Sequence, residues 1–220
     1  MSFMQGLSID SVAHRFNEKA ILNGVYLNCK IGEVVGLLGR NGCGKSTLLK
    51  AIFGILNVDF KHLKVNGEIV SKGYSSGKIA YLTQHNFIPN KLKVKDAIAV
   101  FCSKHKEAIV QIPFIAENLN KKFRDFSGGE NRLIEALIII YSNADFVLLD
   151  EPFSQLAPLL VDEVKQHINH MKLFKGFIVT DHYYKSILDI SDRIILLHNG
   201  CNYKINNTDD LILHGYLPGH

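Results

Sequence analysis

The nine residues Gly39 to Thr47, GRNGCGKST, constrain the fold more than any other part of the chain. Two glycines with four residues between them, then a lysine and a hydroxyl, make a loop whose backbone N–H groups can close around phosphate oxygens. Such a loop works between a strand that fixes its base and a helix that points its positive dipole end at the anion. Both neighbours carry the right pattern. Residues 34–38, VVGLL, are an apolar run suited to a buried strand, and residues 45–56, KSTLLKAIFGIL, place apolar side chains at helical spacing. Lys45 has the reach for β- and γ-phosphates, and the Ser46 hydroxyl suits Mg2+.

The rest of the chain supplies the layers around that loop. LSIDSVAHRF and AILNGVYLNCK alternate apolar and polar residues and predict antiparallel strands ahead of the buried one. HLKVNGEIV reads as a hairpin about Asn66-Gly67, and KIAYLTQ as a further strand. Residues 86–126 are rich in lysine, broken by Pro89 and Pro113, and predict a short helical insert. GGENRLIEALIIIYS is a helix apolar over most of its surface, hence largely buried. FVLLD and GFIVT are core strands, LVDEVKQHINHM and YYKSILDI helices, and DRIILLHNGCNYKI a closing hairpin. The alternation predicts an α/β fold: a P-loop NTPase core with a mainly parallel sheet, an N-terminal antiparallel β subdomain and a short helical subdomain. One domain spanning 1–220 is expected, since no repeat or low-complexity linker divides the chain.

A second group of residues narrows the chemistry. FVLLDE ends an apolar strand in Asp150 and Glu151, where a parallel sheet lines its ligand crevice. One carboxylate there suits Mg2+ while its neighbour orients and deprotonates an attacking water. Gln84 follows the strand IAYLT, FSGGE occupies 126–130, and His182 closes IVTDH. The order P-loop, glutamine, Ser-Gly-Gly, Asp-Glu, histidine covers nearly the whole chain and resembles that of the ABC ATPases, the ATP-binding subunits of ABC transporters.

The resemblance implies ATP and Mg2+ as cofactors and two copies sandwiching two ATPs head to tail. Gly39, Arg40, Asn41, Gly42, Cys43, Gly44, Lys45, Ser46 and Thr47 would cradle the triphosphate of one copy. Ser127, Gly128, Gly129 and Glu130 of the other would close on the γ-phosphate. Glu151 would be the general base and His182 would steady the γ-phosphate and water. Ser46, Gln84 and Asp150 would attend the metal, with Gln84 also coupling to a membrane partner. Phe16 occupies the position expected to stack on adenine, a role that Arg15 or His14 would be able to share.

Three features depart from the family pattern. PFSQLAP after Glu151 puts Ala157 where an aspartate usually reaches across the dimer, EALIII lacks an arginine usual in that helix, and the helical insert is short. Residues 86–126 also hold eight Lys or Arg against four acids, an excess of four that equals the net charge of +4 of the whole chain. In the family this insert faces the membrane subunit, so a basic surface there fits anionic headgroups or acidic loops.

Composition fixes the setting. The longest apolar runs are too short to cross a bilayer, and MSFMQGLSID lacks the charge and apolar core of a leader peptide. Four scattered cysteines predict free thiols in a reducing compartment. Among them, Cys43 lies at a helix N-terminus beside Lys45, which predicts an acidified, reactive thiol if electrostatics outweigh packing. The expected location is cytoplasmic, peripheral on the inner face of the cell membrane, with an integral membrane subunit and a second ATPase subunit as partners and no nucleic acid. A compact ABC ATPase acting in assembly, translation or DNA maintenance without a membrane partner is the alternative. A nucleotide-binding regulator with little turnover is a third reading, drawn from Ala157.

Overall fold

Each central strand is apolar on both of its faces because both are covered. In the computed structural model, which describes residues 6–218, β3 (Val34–Leu38) sends Val34 and Leu38 into one core and Val35 and Leu37 into another. Strand β7 (Phe146–Asp150) divides its residues the same way, Val147 and Leu149 against Phe146 and Leu148. This is the two-residue period of a strand read on a sheet sandwiched between layers. The first five residues, half of the MSFMQGLSID stretch, lie outside the described residues.

The central sheet has six strands in the order β10-β9-β3-β8-β7-β6. Its other members are β6 (Ile79–Leu82), β8 (Gly176–Thr180), β9 (Arg193–His198) and β10 (Cys201–Ile205). All pairings are parallel except β9 with β10. A four-stranded antiparallel sheet, β2-β1-β4-β5, comprises β1 (Gly6–Phe16), β2 (Lys19–Lys30), β4 (Phe60–Val65) and β5 (Glu68–Ile69). The β4–β5 turn has φ of 52° at Asn66 and 87° at Gly67, and the β9–β10 turn 49° at Asn199 and 76° at Gly200. Positive φ at both central residues is what a two-residue hairpin turn demands, and Asn-Gly provides it at low cost.

Helix α1 (Lys45–Phe53) lies in the core shared by the two sheets and stops at Gly54, three residues short of the apolar pattern's end. The insert holds α2 (Val94–Phe101), α3 (Lys106–Val110) and α4 (Pro113–Asn118). Beyond it run α5 (Gly128–Ile140), α6 (Pro158–Met171) and α7 (Tyr184–Ile190). Every residue of α5 from Arg132 to Ile140 is buried, the all-round burial its apolar sequence predicts. One helix was not anticipated: α8 (Thr208–Leu213). Asn207 caps it by accepting a hydrogen bond from the Asp210 N–H, and two acids occupy its first turn. That Asn-x-Asp-Asp start was the available signal.

Candidate nucleotide site

The loop after β3 is held open by the chain's own polar groups. Gly39 has φ 155°, and a Cβ there would come within 2.6 Å of both the Cys43 sulfur and the Leu197 carbonyl, so only glycine fits. The Lys45 ammonium, buried, donates to the carbonyl oxygens of Gly39 (2.7 Å) and Arg40 (3.3 Å). Helix α1 begins with no side-chain cap and no acid in its first turn, which leaves its leading N–H groups free for an anion.

A cavity of about 600 Å³ opens over this loop. Asn41, Gly42, Gly44, Lys45, Ser46 and Thr47 form one wall; Gln84, Glu151 and His182 face them; and His14 and Phe16 stand at the rim. Phe16 is 69% exposed, unusual for a strand phenylalanine and suited to a stacking partner. Arg15 is not among the lining residues.

Two hydrogen-bonded groups meet beneath the cavity. Ser46 donates to Asp150 Oδ1 at 3.0 Å, and the Tyr81 hydroxyl donates to Asp150 Oδ2 at 2.9 Å. Burial pushes the Asp150 carboxyl above its ordinary range, with these two hydrogen bonds pulling back. One residue on, Glu151 adopts the left-handed conformation (φ 55°), which turns its carboxylate from the strand toward the cavity. His182 Nε2 lies 2.7 Å from Glu151 Oε1, and Gln84 Nε2 donates to Oε2 at 3.0 Å. The hydroxyl of Ser46, the carboxylate of Asp150 and the amide oxygen of Gln84 are hard donors. One or two carboxylates beside phosphate oxygens are what Mg2+ takes, so the donor set fits that ion.

A brace invisible to motif reading holds this arrangement. Arg132, 2% exposed on α5, donates to the carbonyl oxygens of Thr83, Asp150 and Glu151, each at 2.7 Å. Glu135 on the same helix accepts from the N–H groups of Phe87 and Ile88, both at 2.9 Å. The apolar EALIII segment therefore begins with a buried carboxylate that fixes the chain just after Gln84. Asp181 accepts from Phe153 and Tyr183, tying the loops that follow Glu151 and His182.

Ser127, Gly128, Gly129 and Glu130 do not line the cavity of their own chain. They form the start of α5, where Ser127 Oγ accepts from the Glu130 N–H (3.3 Å) and Glu130 Oε2 accepts from the Ser127 N–H (2.8 Å). A Cβ on Gly129 would meet the Gln155 carbonyl at 2.9 Å, so the loop after Glu151 packs directly on this glycine.

The side chains of Arg40 and Cys43 also point away from the cavity. Arg40 donates to the Gly215 carbonyl, and the neighbouring Tyr216 stands edge-on to Tyr184. Here packing wins over the helix dipole. Burial pushes the Cys43 thiol up, and the nearby Lys45 only partly offsets that, so the expectation of an acidified thiol is corrected. Maleimide labelling of Cys43 at pH 7.5 should run at least about tenfold slower than that of glutathione. A rate at or above glutathione's, absent in Cys43→Ala, would reverse this. All four cysteines are free thiols.

Comparison with known proteins bears on the whole arrangement. The family model described as "ABC transporter" matches residues 22–154. An ABC transporter ATP-binding protein of Rhizobium meliloti is 30% identical over 212 residues, covering 90% of this chain and 78% of that protein. The lipopolysaccharide export system ATP-binding protein LptB of Escherichia coli K12 is 29% identical over 213 residues, covering 90% of this chain and 88% of its own length. Among solved structures, an ATP-binding subunit of an ABC transporter superposes with a TM-score of 0.81 at 21% identity, over 97% of this chain and 95% of the other. Another, a bacterial Atm1-family ABC exporter with ATP bound, gives a TM-score of 0.82 at 18% identity, over 97% of this chain and 41% of that one. These two likenesses show the fold.

Proposed function

The chain belongs to the ABC transporter family of ATP-binding proteins, and from that premise we propose that it is a Mg2+-dependent ATPase driving a membrane transporter through nucleotide-dependent closure of two subunits. The observation that supports this most is the Gln84–Glu151–His182 group, joined by a hydrogen bond and a close His–Glu contact and facing the P-loop across one cavity. Residues 1–220 act as a single ATPase domain, with the insert at about 86–126 turned toward an integral membrane subunit.

In this reading Phe16 stacks on the adenine and the N–H groups of residues 39–47 take the triphosphate. Lys45 exchanges the Gly39 and Arg40 carbonyls for β- and γ-phosphate oxygens. Ser46, Asp150 and Gln84 would hold Mg2+, which would supply charge neutralisation to the phosphates. Glu151 accepts a proton from the water whose oxygen attacks the γ-phosphorus as the bond to the β-phosphate oxygen breaks, releasing ADP and phosphate. His182 holds Glu151 in place and donates toward the γ-phosphate. Ser127, Gly128, Gly129 and Glu130 of the second subunit complete the site, and their free N–H groups suit that task.

The protein would work in the cytoplasm, peripheral on the inner face of the membrane, with a second ATPase subunit, identical or homologous. Cargo would be chosen by the membrane partner. Steady-state hydrolysis by the purified protein should require divalent cation and vanish in Lys45→Ala. Hydrolysis of equal rate in the wild type and that variant would sink the assignment.

Ala157 yields a separate expectation. It occupies the N-cap of α6 and gives no side-chain cap. Ala157→Asp should therefore stabilise the fold by about 1 kcal/mol, which is roughly 3 °C in melting temperature for a chain this long. If the loop also couples two sites, the same variant alters how ATPase rate depends on protein concentration. A melting temperature unchanged or lowered would show that the aspartate does not cap.

A further inference from the structure

Strand β2 and the β9–β10 hairpin enclose a second cavity, of about 360 Å³, separate from the nucleotide site. Its volume sits at the lower end of small-molecule sites, about 300–1,000 Å³. What distinguishes it is the balance of its hydrogen bonds.

The side-chain acceptors in this cavity are engaged. Glu33 Oε1 accepts from Arg193 Nε (2.9 Å) and Oε2 from the Lys30 N–H (3.0 Å). Asn28 accepts Arg193 Nη2 on both its backbone and side-chain oxygens, at 2.7 and 2.8 Å. Its own amide donates to the Tyr26 hydroxyl oxygen, and Asn202 Oδ1 takes the Tyr26 N–H. Five donor groups are left over. Among the described residues the ammonium groups of Lys30 and Lys204, Arg193 Nη1, the Asn202 amide N–H groups and the Tyr26 hydroxyl proton meet no protein acceptor. Lys30, Arg193 and Lys204 against Glu33 leave two positive charges over.

A surplus of donors with a charge of plus two calls for an acceptor-only dianion. A carboxylate offers two oxygens and one charge, too few for five donor groups. A phosphate monoester offers three terminal oxygens and a charge of about −1.5 to −2 at pH 7. Arg193, already pinned by Glu33 and Asn28, presents its remaining N–H edge without further loss of side-chain freedom. The Tyr26 ring and Ile195 supply apolar surface for the organic part of the ester. We propose that this cavity binds a phosphate monoester, with Lys30 and Lys204 giving the charge and Arg193, Asn202 and Tyr26 the directed donors.

Soluble metabolites and lipid headgroups both carry this group, and two arms separate them. In the first, the full-length protein with saturating MgADP in the nucleotide cavity is titrated calorimetrically with glycerol 3-phosphate. In the second, it is floated on vesicles of phosphatidic acid, a monoester, against phosphatidylglycerol, a diester. Saturable binding is expected in at least one arm, weakened about tenfold by Lys30→Gln with Lys204→Gln and by raised salt. Titration alone assigns a soluble ligand; selective flotation on phosphatidic acid assigns a headgroup. Both lysines are exposed, so the double variant should keep its melting temperature and its MgADP affinity, and Asn202→Ala serves as an uncharged second probe. The proposal is overturned by absence of saturable binding in both arms, by equal binding in wild type and double variant, or by binding that MgADP displaces.

Discussion

Steady-state ATP hydrolysis by Glu151→Gln is expected to fall by roughly 10²- to 10⁴-fold, the range a general base contributes, while ATP binding survives. The amide keeps the shape of the side chain and an oxygen for Gln84 Nε2, now 3.0 Å away, but has no basic lone pair for a proton. Lys45, Ser46 and the loop N–H groups are untouched. Bound ATP should then accumulate and hold two subunits together, visible as a nucleotide-dependent shift in size-exclusion chromatography. Wild-type turnover in this variant would remove Glu151 from the mechanism and leave Asp150 or His182 to explain it.

Arg132→Met should be nearly as damaging, although Arg132 touches no nucleotide. Its guanidinium stands among Glu135, Asp150, Asp181 and Glu151 as their shared counter-charge, and burial lowers its own pKa. Removing it leaves the carbonyls of Thr83, Asp150 and Glu151 short of a donor and takes a buried positive charge away from four nearby carboxylates. We expect a loss of roughly 3 kcal/mol in stability, or about 9 °C in melting temperature. Turnover should fall further than nucleotide affinity, because the brace orients Gln84 and Glu151 rather than the phosphate loop. A melting temperature within about 2 °C of wild type, with unchanged turnover, would show that solvent replaces the guanidinium.

The contrast between these two residues shows what the sequence made legible. Gly39–Thr47, Gln84, Asp150-Glu151 and His182 could be read because each sits at a strand end or helix start, a position that apolar runs and glycines mark locally. The hairpins at Asn66-Gly67 and Asn199-Gly200 were legible for the same reason: backbone conformation is written in adjacent residues. Arg132 resembles any polar residue near a helix start until the fold brings Thr83 and Asp150 to it from 49 and 18 residues away. Tyr81, read as a plain strand residue, turned out to hold Asp150 across 69 residues. For Cys43 the sequence left a reactive and a packed thiol both open, because what buries a side chain is set by the fold and not by its neighbours in the chain; packing prevails. Ser127 to Glu130 were singled out by order alone, since within one chain they serve only to start a helix.

The strand order carries a consequence for how the protein is made. Strands β3 and β7, which end in the phosphate loop and the acidic pair, are not neighbours: β8 lies between them and hydrogen-bonds both. On a ribosome the loop emerges early and the acids about a hundred residues later, yet the strand that joins their halves of the sheet starts only at Gly176. Until then no strand pairing joins the P-loop half of the sheet to the Glu151 half, which meet only through the packing of α1 and the Ser46–Asp150 hydrogen bond. Non-local parallel pairing of this kind is slow to form. Nascent chains therefore lack a joined sheet until residues 176–180 have emerged, and a chain truncated before β8 has none on which to hydrolyse ATP.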